Sequence, residues 1–278
     1  MENILLIDGL NFIWKANIKF STPNSNSFGP NGEDYTLIYN FFRNLRALIE
    51  QFSPFKVFFV LEGHPKFRYD LYADYKANRI IKTASKQEEM DKFHISKKEI
   101  IRILKHLPIT IAKAKDYECD DTIAALCEDL KEENVIIISN DSDYIQLLQK
   151  GYNKLKIFNS IKKEFMQAPE YPYVAWKCLN GDKSDNIPKL LTPAKAIKTI
   201  SDATLFNNFL SIEENRSLFN INKQLIEFRI VPKEEILLEE GFKDLNKLKQ
   251  EFINMKFESI INDKSWNKYI KTFDCITC

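Results

Sequence analysis

No apolar run in this chain approaches the roughly 20 residues that a membrane-spanning helix requires. The N-terminal M-E-N-I-L-L-I-D also lacks the basic start and apolar core of a secretion signal. No membrane partner is expected. A disulfide framework is missing as well: five cysteines, an odd number, are scattered over 278 residues, which points to a reducing, cytoplasmic compartment. Cys275-Ile-Thr-Cys278 is an isolated C-x-x-C with no second pair and no nearby histidine, a weak candidate for a metal or redox site. The three histidines, His64, His94 and His106, have no ligand spacing and read as surface or structural residues. Neither sign of charge dominates. A formal net charge of +1 gives no global field, so any nucleic-acid surface has to be a local patch. Internal repeats and low-complexity tracts are absent. What remains is an ordinary globular composition, 44% hydrophobic and 28% charged, long enough for one large domain or two.

Against that background one stretch stands out, Asp116 to Tyr144. It holds five carboxylates, Glu118, Asp120, Asp121, Asp141 and Asp143, in two short clusters. Between them, Ile123, Leu126, Cys127 and Leu130 fall at helical spacing, which predicts a helix over Thr122 to Lys131. Val135 to Ile138 is an unbroken β-branched run, the pattern of a buried parallel strand. The first cluster therefore sits at a helix start and the second at the carboxyl end of a strand, where ligands of open α/β sheets collect. Carboxylates this close repel unless a cation holds them, and a hard divalent ion such as Mg²⁺ takes oxygen ligands.

The pattern repeats upstream. Asn3 to Ile7 reads as a strand ending in Asp8-Gly9, and Lys56 to Leu61 as a strand ending in Glu62-Gly63. Alone, an acid at a strand tip is more often a cap or turn residue than a ligand; two followed by glycine are harder to dismiss. Ser21 to Asp34 reads as a surface loop, and Leu37 to Phe52 as an amphipathic helix stopped by Pro54. Between Lys66 and Lys105 lie eleven Lys/Arg and six acids, interleaved with Phe67, Tyr69, Tyr72, Tyr75 and Phe93. That mixture suits a groove for single-stranded nucleic acid, and it equally suits a solvated helical face. Within it, Ser96-Lys-Lys-Glu99 has the form of a capping box, predicting a helix start there. Ile109 to Ala112 and Leu155 to Asn159 add strands. The strand–helix alternation up to about Phe165 predicts an α/β domain with a mainly parallel sheet. After Pro169 and Pro172 the patterns turn helical. There Asp182 and Asp185 of G-D-K-S-D-N-I-P precede Lys189, Lys195 and Lys198, acids before bases. This order suits completing a metal site and then gripping a phosphate backbone; a polar turn before a basic helix is the plain alternative.

Asp8, then F-R…Y-K-A-N-R (Phe67 to Arg79), Y-E-C-D-D, N-D-S-D and G-D-K-S-D-N-I-P, in that order over about residues 1 to 200, resemble the 5′-nuclease family. That family comprises flap endonucleases and 5′–3′ exonucleases, with the phage ribonuclease H and phage 5′ exonuclease branch the most similar. The resemblance implies a PIN-like α/β nuclease domain (residues 1–168) with a helical arch over about 66–105. A helical C-terminal domain (169–278) would carry a divergent helix–turn–helix DNA-binding hairpin at about 180–200. It implies that Asp8, Glu62, Glu118, Asp120, Asp121, Asp141, Asp143, Asp182 and Asp185 surround two Mg²⁺ ions, for which Mn²⁺ can substitute, with Asp121 and Asp182 acting through water. Asp120 and Asp141 would be central to hydrolysis. Lys76 and Arg79 would contact the scissile phosphate, with Tyr75 beside them and Arg68, Lys189, Lys195 and Lys198 on the DNA. The implied partners are nicked or branched duplex DNA with a 5′ end or flap, RNA–DNA hybrid and replication proteins, acted on by a monomer.

Two positions depart from the family pattern. Glu62 stands where the family has aspartate, and K-L-L-T-P-A-K-A-I after Pro188 replaces a glycine-rich hairpin whose backbone approaches phosphate. Those departures are the support for a rival reading, a branched-DNA-binding protein with weakened or no catalysis. A PIN-type ribonuclease is a second rival, and it leaves G-D-K-S-D-N unexplained.

Overall fold

The apolar runs of the first 160 residues become strands because most of their residues are buried on both faces, with exposed positions such as Lys113 and Lys156 confined to the outer strands, so they carry no regular polar alternation. In the computed structural model, which describes residues 2–17, 28–79 and 83–277, they are β1 (Asn3–Asp8), β2 (Lys56–Leu61), β3 (Thr110–Ala114), β4 (Asn134–Ile138) and β5 (Leu155–Asn159). All five are parallel, and two antiparallel strands, β6 (Glu164–Phe165) and β7 (Ile236–Glu240), close the edges. The order is β6-β5-β4-β1-β2-β3-β7. From β1 the chain runs outward to β2 and β3 on one side, and β4 and β5 lie on the other. Strand order reverses at β1, so a crevice opens beyond the carboxyl ends of β1 and β4. Ile7 is in register with Ile138 and Asp8 with Val60, which brings three strand ends to one level.

The helices in chain order are α1 (Gly9–Asn17), α2 (Thr36–Phe52), α3 (Lys66–Leu71), α4 (Ala84–Leu104), α5 (Cys119–Asp129), α6 (Ile145–Leu148), α7 (Tyr173–Asn180), α8 (Pro193–Ile200), α9 (Ala203–Ser211), α10 (Glu213–Ile226), α11 (Leu245–Asn254), α12 (Glu258–Ile261) and α13 (Asp263–Lys271). One face of the sheet is covered by α1, α2, α4 and the last three helices, through Phe12, Phe41, Phe42, Ile103, Phe252, Trp266 and Tyr269. The other is covered by α5 and α6, through Ile123, Leu126, Cys127 and Leu147. A third apolar cluster joins α7, α8 and α10 to Tyr75.

Two sequence expectations change. The C-terminal 110 residues do not form one helical unit. Only the stretch from α7 to α10 has its own cluster, whereas β7 pairs with β3 and α11 to α13 pack on α2. Phe252 meets the Phe42 ring edge-on at 5.2 Å, and each such ring taken from water contributes about 1.5–3 kcal/mol. Second, α4 begins at Ala84 under a Thr83 cap, not at Ser96. No glycine or proline interrupts residues 84–95, so a serine that would cap an independent helix is absorbed into a longer one. Of the loop expected over Ser21 to Asp34, residues 21–27 lie outside the described residues, and the rest is closed by a Phe28–Asp34 bridge.

The acid-glycine pairs have a steric cause. A Cβ on Gly9 would lie 2.6 Å from the Val60 carbonyl, and one on Gly63 would lie 2.1 Å from that of Ala114. Each chain leaving a strand tip has to pass against its neighbour's backbone, which only glycine permits. That passage turns the preceding acid toward the crevice.

Candidate active site

Eight of the nine expected acids line one cleft of about 320 Å³ at the sheet's switch point: Asp8, Glu62, Glu118, Asp120, Asp141, Asp143, Asp182 and Asp185. Lys76 and Arg79 line it too. Strand ends deliver Asp8, Glu62 and Asp141; the α5 N-terminus delivers Glu118 and Asp120; the loop after α7 delivers Asp182 and Asp185.

These acids divide by partner. Asp8 accepts hydrogen bonds from the Asn11 amide (3.1 Å), the Ser139 hydroxyl (3.0 Å) and the Tyr144 hydroxyl (3.3 Å). Burial still pushes it up to about 6. Glu62 accepts from the Cys119 amide at 3.2 Å; burial, then the charge of Glu118, pushes it up to about 7. Burial with Glu118 and Asp121 raises Asp120 well above the usual carboxylate range. Burial lifts Asp141 too, against the pull of Lys177. None of these four is ion-paired among the described residues. Their ionised forms await a countercharge.

The other four have one. Glu118 is bridged by Lys76 and by Arg68 at 3.2 Å, and accepts the Tyr75 hydroxyl at 3.0 Å. Asp185 is held by Arg79 and faces Lys76 at 3.8 Å. Lys177 lies between Asp143 and Asp182, 2.9 Å from the latter. Burial pulls Asp182 upward, but Lys177 and Ser184 outweigh it and hold its carboxyl below the usual range.

Three assignments are corrected. Asp121 brings an oxygen close enough to Glu118 and Asp120 to share an ion with them. Both its oxygens nevertheless go to the Arg68 guanidinium, at 2.5 and 2.8 Å, and one also takes the Arg229 amide at 2.7 Å. It is fully buried and is not among the residues that line the cleft. Arg68, expected on DNA, is 2% exposed and donates inward to Asp121 and to the Leu225 carbonyl. Tyr75, expected at the DNA surface, is buried with its hydroxyl turned to Glu118 and Asp185. The aromatic interleaving that suggested a stacking groove is largely internal packing: Phe93 stacks on Trp14 at 4.2 Å and Phe67 lies under Arg229 at 3.7 Å. Lys189, Lys195 and Lys198 are exposed around α8, outside the cleft.

The sequence did not reveal Lys177, Ser139, Tyr144 or Asn11. Ser139 and Tyr144 stand within the S-N-D-S-D-Y run, so proximity to Asp141 was a usable signal for them. Lys177 had none, since a lysine among Ala175, Trp176, Cys178 and Leu179 reads as an alkyl stem lying along an apolar face.

The donor set fits a hard divalent cation: all carboxylate oxygen, gathered in one cleft, and in excess over the basic groups beside it. A family model described as 5'-3' exonuclease, N-terminal resolvase-like domain, matches residues 3–172. A 5'-3' exonuclease of Aquifex aeolicus is 26% identical over 95% of both chains. One of Buchnera aphidicola is 28% identical over 70% of this chain and 67% of its own. Among solved structures, T5 5'-exonuclease with divalent zinc superposes with a TM-score of 0.63 at 15% identity, covering 98% of each chain. Flap endonuclease-1 of Methanococcus jannaschii superposes at 0.61 and 14%, covering 98% of this chain and 90% of that one.

Proposed function

Because the chain belongs to the 5′–3′ exonuclease family, we propose that it hydrolyses phosphodiester bonds near the 5′ ends of DNA, as a 5′–3′ exonuclease and flap endonuclease. One observation carries the reading: eight carboxylates from five separate segments converge on a single cleft whose rim holds Lys76 and Arg79. Such convergence of like charge is costly unless the site is built for cations.

Asp8, Glu62, Glu118 and Asp120 would hold one Mg²⁺, and Asp141, Asp143, Asp182 and Asp185 a second; Mn²⁺ would substitute. Bound there, the ions supply Lewis-acid charge for activating water and stabilising the leaving oxygen. The protein's own groups position and compensate. Ser139, Tyr144 and Asn11 fix the orientation of Asp8, and the Arg68–Asp121 pair fixes the α5 N-terminus that presents Glu118 and Asp120. Lys76 and Arg79 exchange their carboxylate partners for the scissile phosphate and offset its charge. Lys189, Lys195 and Lys198 reach the phosphates of the duplex beside the cleft. The substrates follow from that layout: nicked or branched duplexes with a 5′ end or flap, and RNA–DNA hybrids at primers, bound by a monomer during replication or repair.

The test is cleavage of labelled 5′-flap DNA, nicked DNA and RNA–DNA hybrid, each with Mg²⁺ or EDTA, by the wild type and by Asp120→Asn and Asp141→Asn. Cleavage that needs Mg²⁺ is expected from the wild type. The variants are expected to lose about 100-fold or more in rate with DNA affinity largely kept. No cleavage by the wild type with either Mg²⁺ or Mn²⁺ favours the DNA-binding reading.

A further inference from the structure

Among the described residues lining the cleft, Lys177 is the one cationic group carried by an α-helix. Its side chain rises from α7, 7% exposed, and its ammonium contacts Asp143 and, at 2.9 Å, Asp182. These two carboxylates come from separate segments of the chain, the turn after β4 and the loop after α7. One ammonium therefore bridges the gap across which a divalent ion at this end would have to bridge. At the other end Glu118 is bridged by Lys76 and Arg68, but Asp8, Glu62 and Asp120 have no ion pair among the described residues, and the two ends are accordingly unequal.

We propose that Lys177 is an internal competitor for the Asp143–Asp182 end of the site, so that a divalent ion enters there only by displacing its ammonium. The inference rests on the metal-dependent reading above and deepens it. Two cations cannot share one pair of carboxylates at contact distance, so ion binding at this end is reduced by the stability of the lysine bridge. At the other end Lys76 meets only Glu118, so an ion there can be held by Asp8, Glu62 and Asp120 without displacing a lysine. The consequence is stepwise loading: a strong ion first, then a weaker one whose entry frees a lysine beside the reacting phosphate.

The experiment is a Mn²⁺ titration of the full chain without DNA, read by electron paramagnetic resonance of free Mn²⁺, for wild type, Lys177→Met and Lys177→Arg. Two classes of site are expected in the wild type. Lys177→Met, which keeps the chain length and removes the charge, should tighten the weaker class by at least about fivefold and leave the stronger class within about twofold. Lys177→Arg should retain the weak class. Unchanged or weakened Mn²⁺ affinity in Lys177→Met overturns the competitor role alone. Absence of Mn²⁺ binding in every protein overturns it together with the metal-dependent reading. A measurement on unmodified protein guards against misfolded variants: acetylation of lysines by an amine-reactive ester, quantified by peptide mass spectrometry. Mg²⁺ should raise labelling of Lys177 severalfold relative to the exposed Lys189 and Lys195. Equal labelling with and without Mg²⁺ overturns the proposal.

Discussion

At the scale of single residues, the cleft stores unpaired negative charge, and that charge couples stability to pH. Glu62 is pushed up to about 7 and Asp8 to about 6, so between about pH 4 and 7 the folded chain holds protons that the unfolded chain has released. Stability from these groups is therefore present at low pH and is lost as pH rises through their folded values. Without divalent ions, the wild type should be harder to unfold in urea at pH 5 than at pH 8, relative to Glu62→Gln, which lacks this titration. Mg²⁺ should recover the difference at pH 8 and do little at pH 5. Equal pH dependence of wild type and Glu62→Gln would refute this. The opposite logic applies to Arg68. Its removal leaves Asp121 as a buried charge without a countercharge, so Arg68→Ala should cost about 3–5 kcal/mol of unfolding free energy, seen as a lower urea midpoint. A variant that unfolds like wild type but binds DNA less tightly would return Arg68 to the DNA surface.

At the scale of elements, strand tips and helix starts aim the carboxylates, and glycine sets the aim. Gly63 lies where the chain leaves β2 under the backbone of residues 114–117, with its amide donating to the Tyr117 carbonyl at 3.0 Å. Gly63→Ala should cost about 1–3 kcal/mol and displace Glu62, lowering cleavage more than DNA binding; thermal unfolding and rate measurements together check it. The strand tips are legible in the sequence, because each acid-glycine pair sits at the end of a local apolar run. The long helix α4 is not. Its false start at Ser96 satisfies a local capping rule, and only the continuous hydrogen bonding from Ala84 overrides it. Lys177 is illegible for the reverse reason: its local context is apolar, and its partners are 34 residues back and five residues ahead.

At the scale of the whole molecule, two chain segments far apart in sequence complete one sheet, and a helical module stands beside its switch point. The strand β7 pairs with β3 across about 125 residues, and α11 to α13 cover α2, so the half of the chain that builds the sheet owes part of its core to the C-terminal segment from β7 onward. The α7–α10 module carries Lys189, Lys195 and Lys198 on its exposed side. Changing all three to alanine should weaken duplex binding without altering sequence preference. It should also reduce the salt slope of log K by up to about 3, with thermal unfolding unchanged. An unchanged salt slope would remove this module from the DNA path.

The sequence by itself determined the parallel α/β core and the positions of the cleft's carboxylates, because burial on both faces and the sharp exit from a strand are written in runs of about five residues. The tertiary structure alone decided which carboxylates stay without a countercharge and which are held. Arg68 and Asp121 lie 53 positions apart, and Lys76 and Glu118 lie 42 apart. Ion pairing falls off with distance in space and is indifferent to distance along the chain.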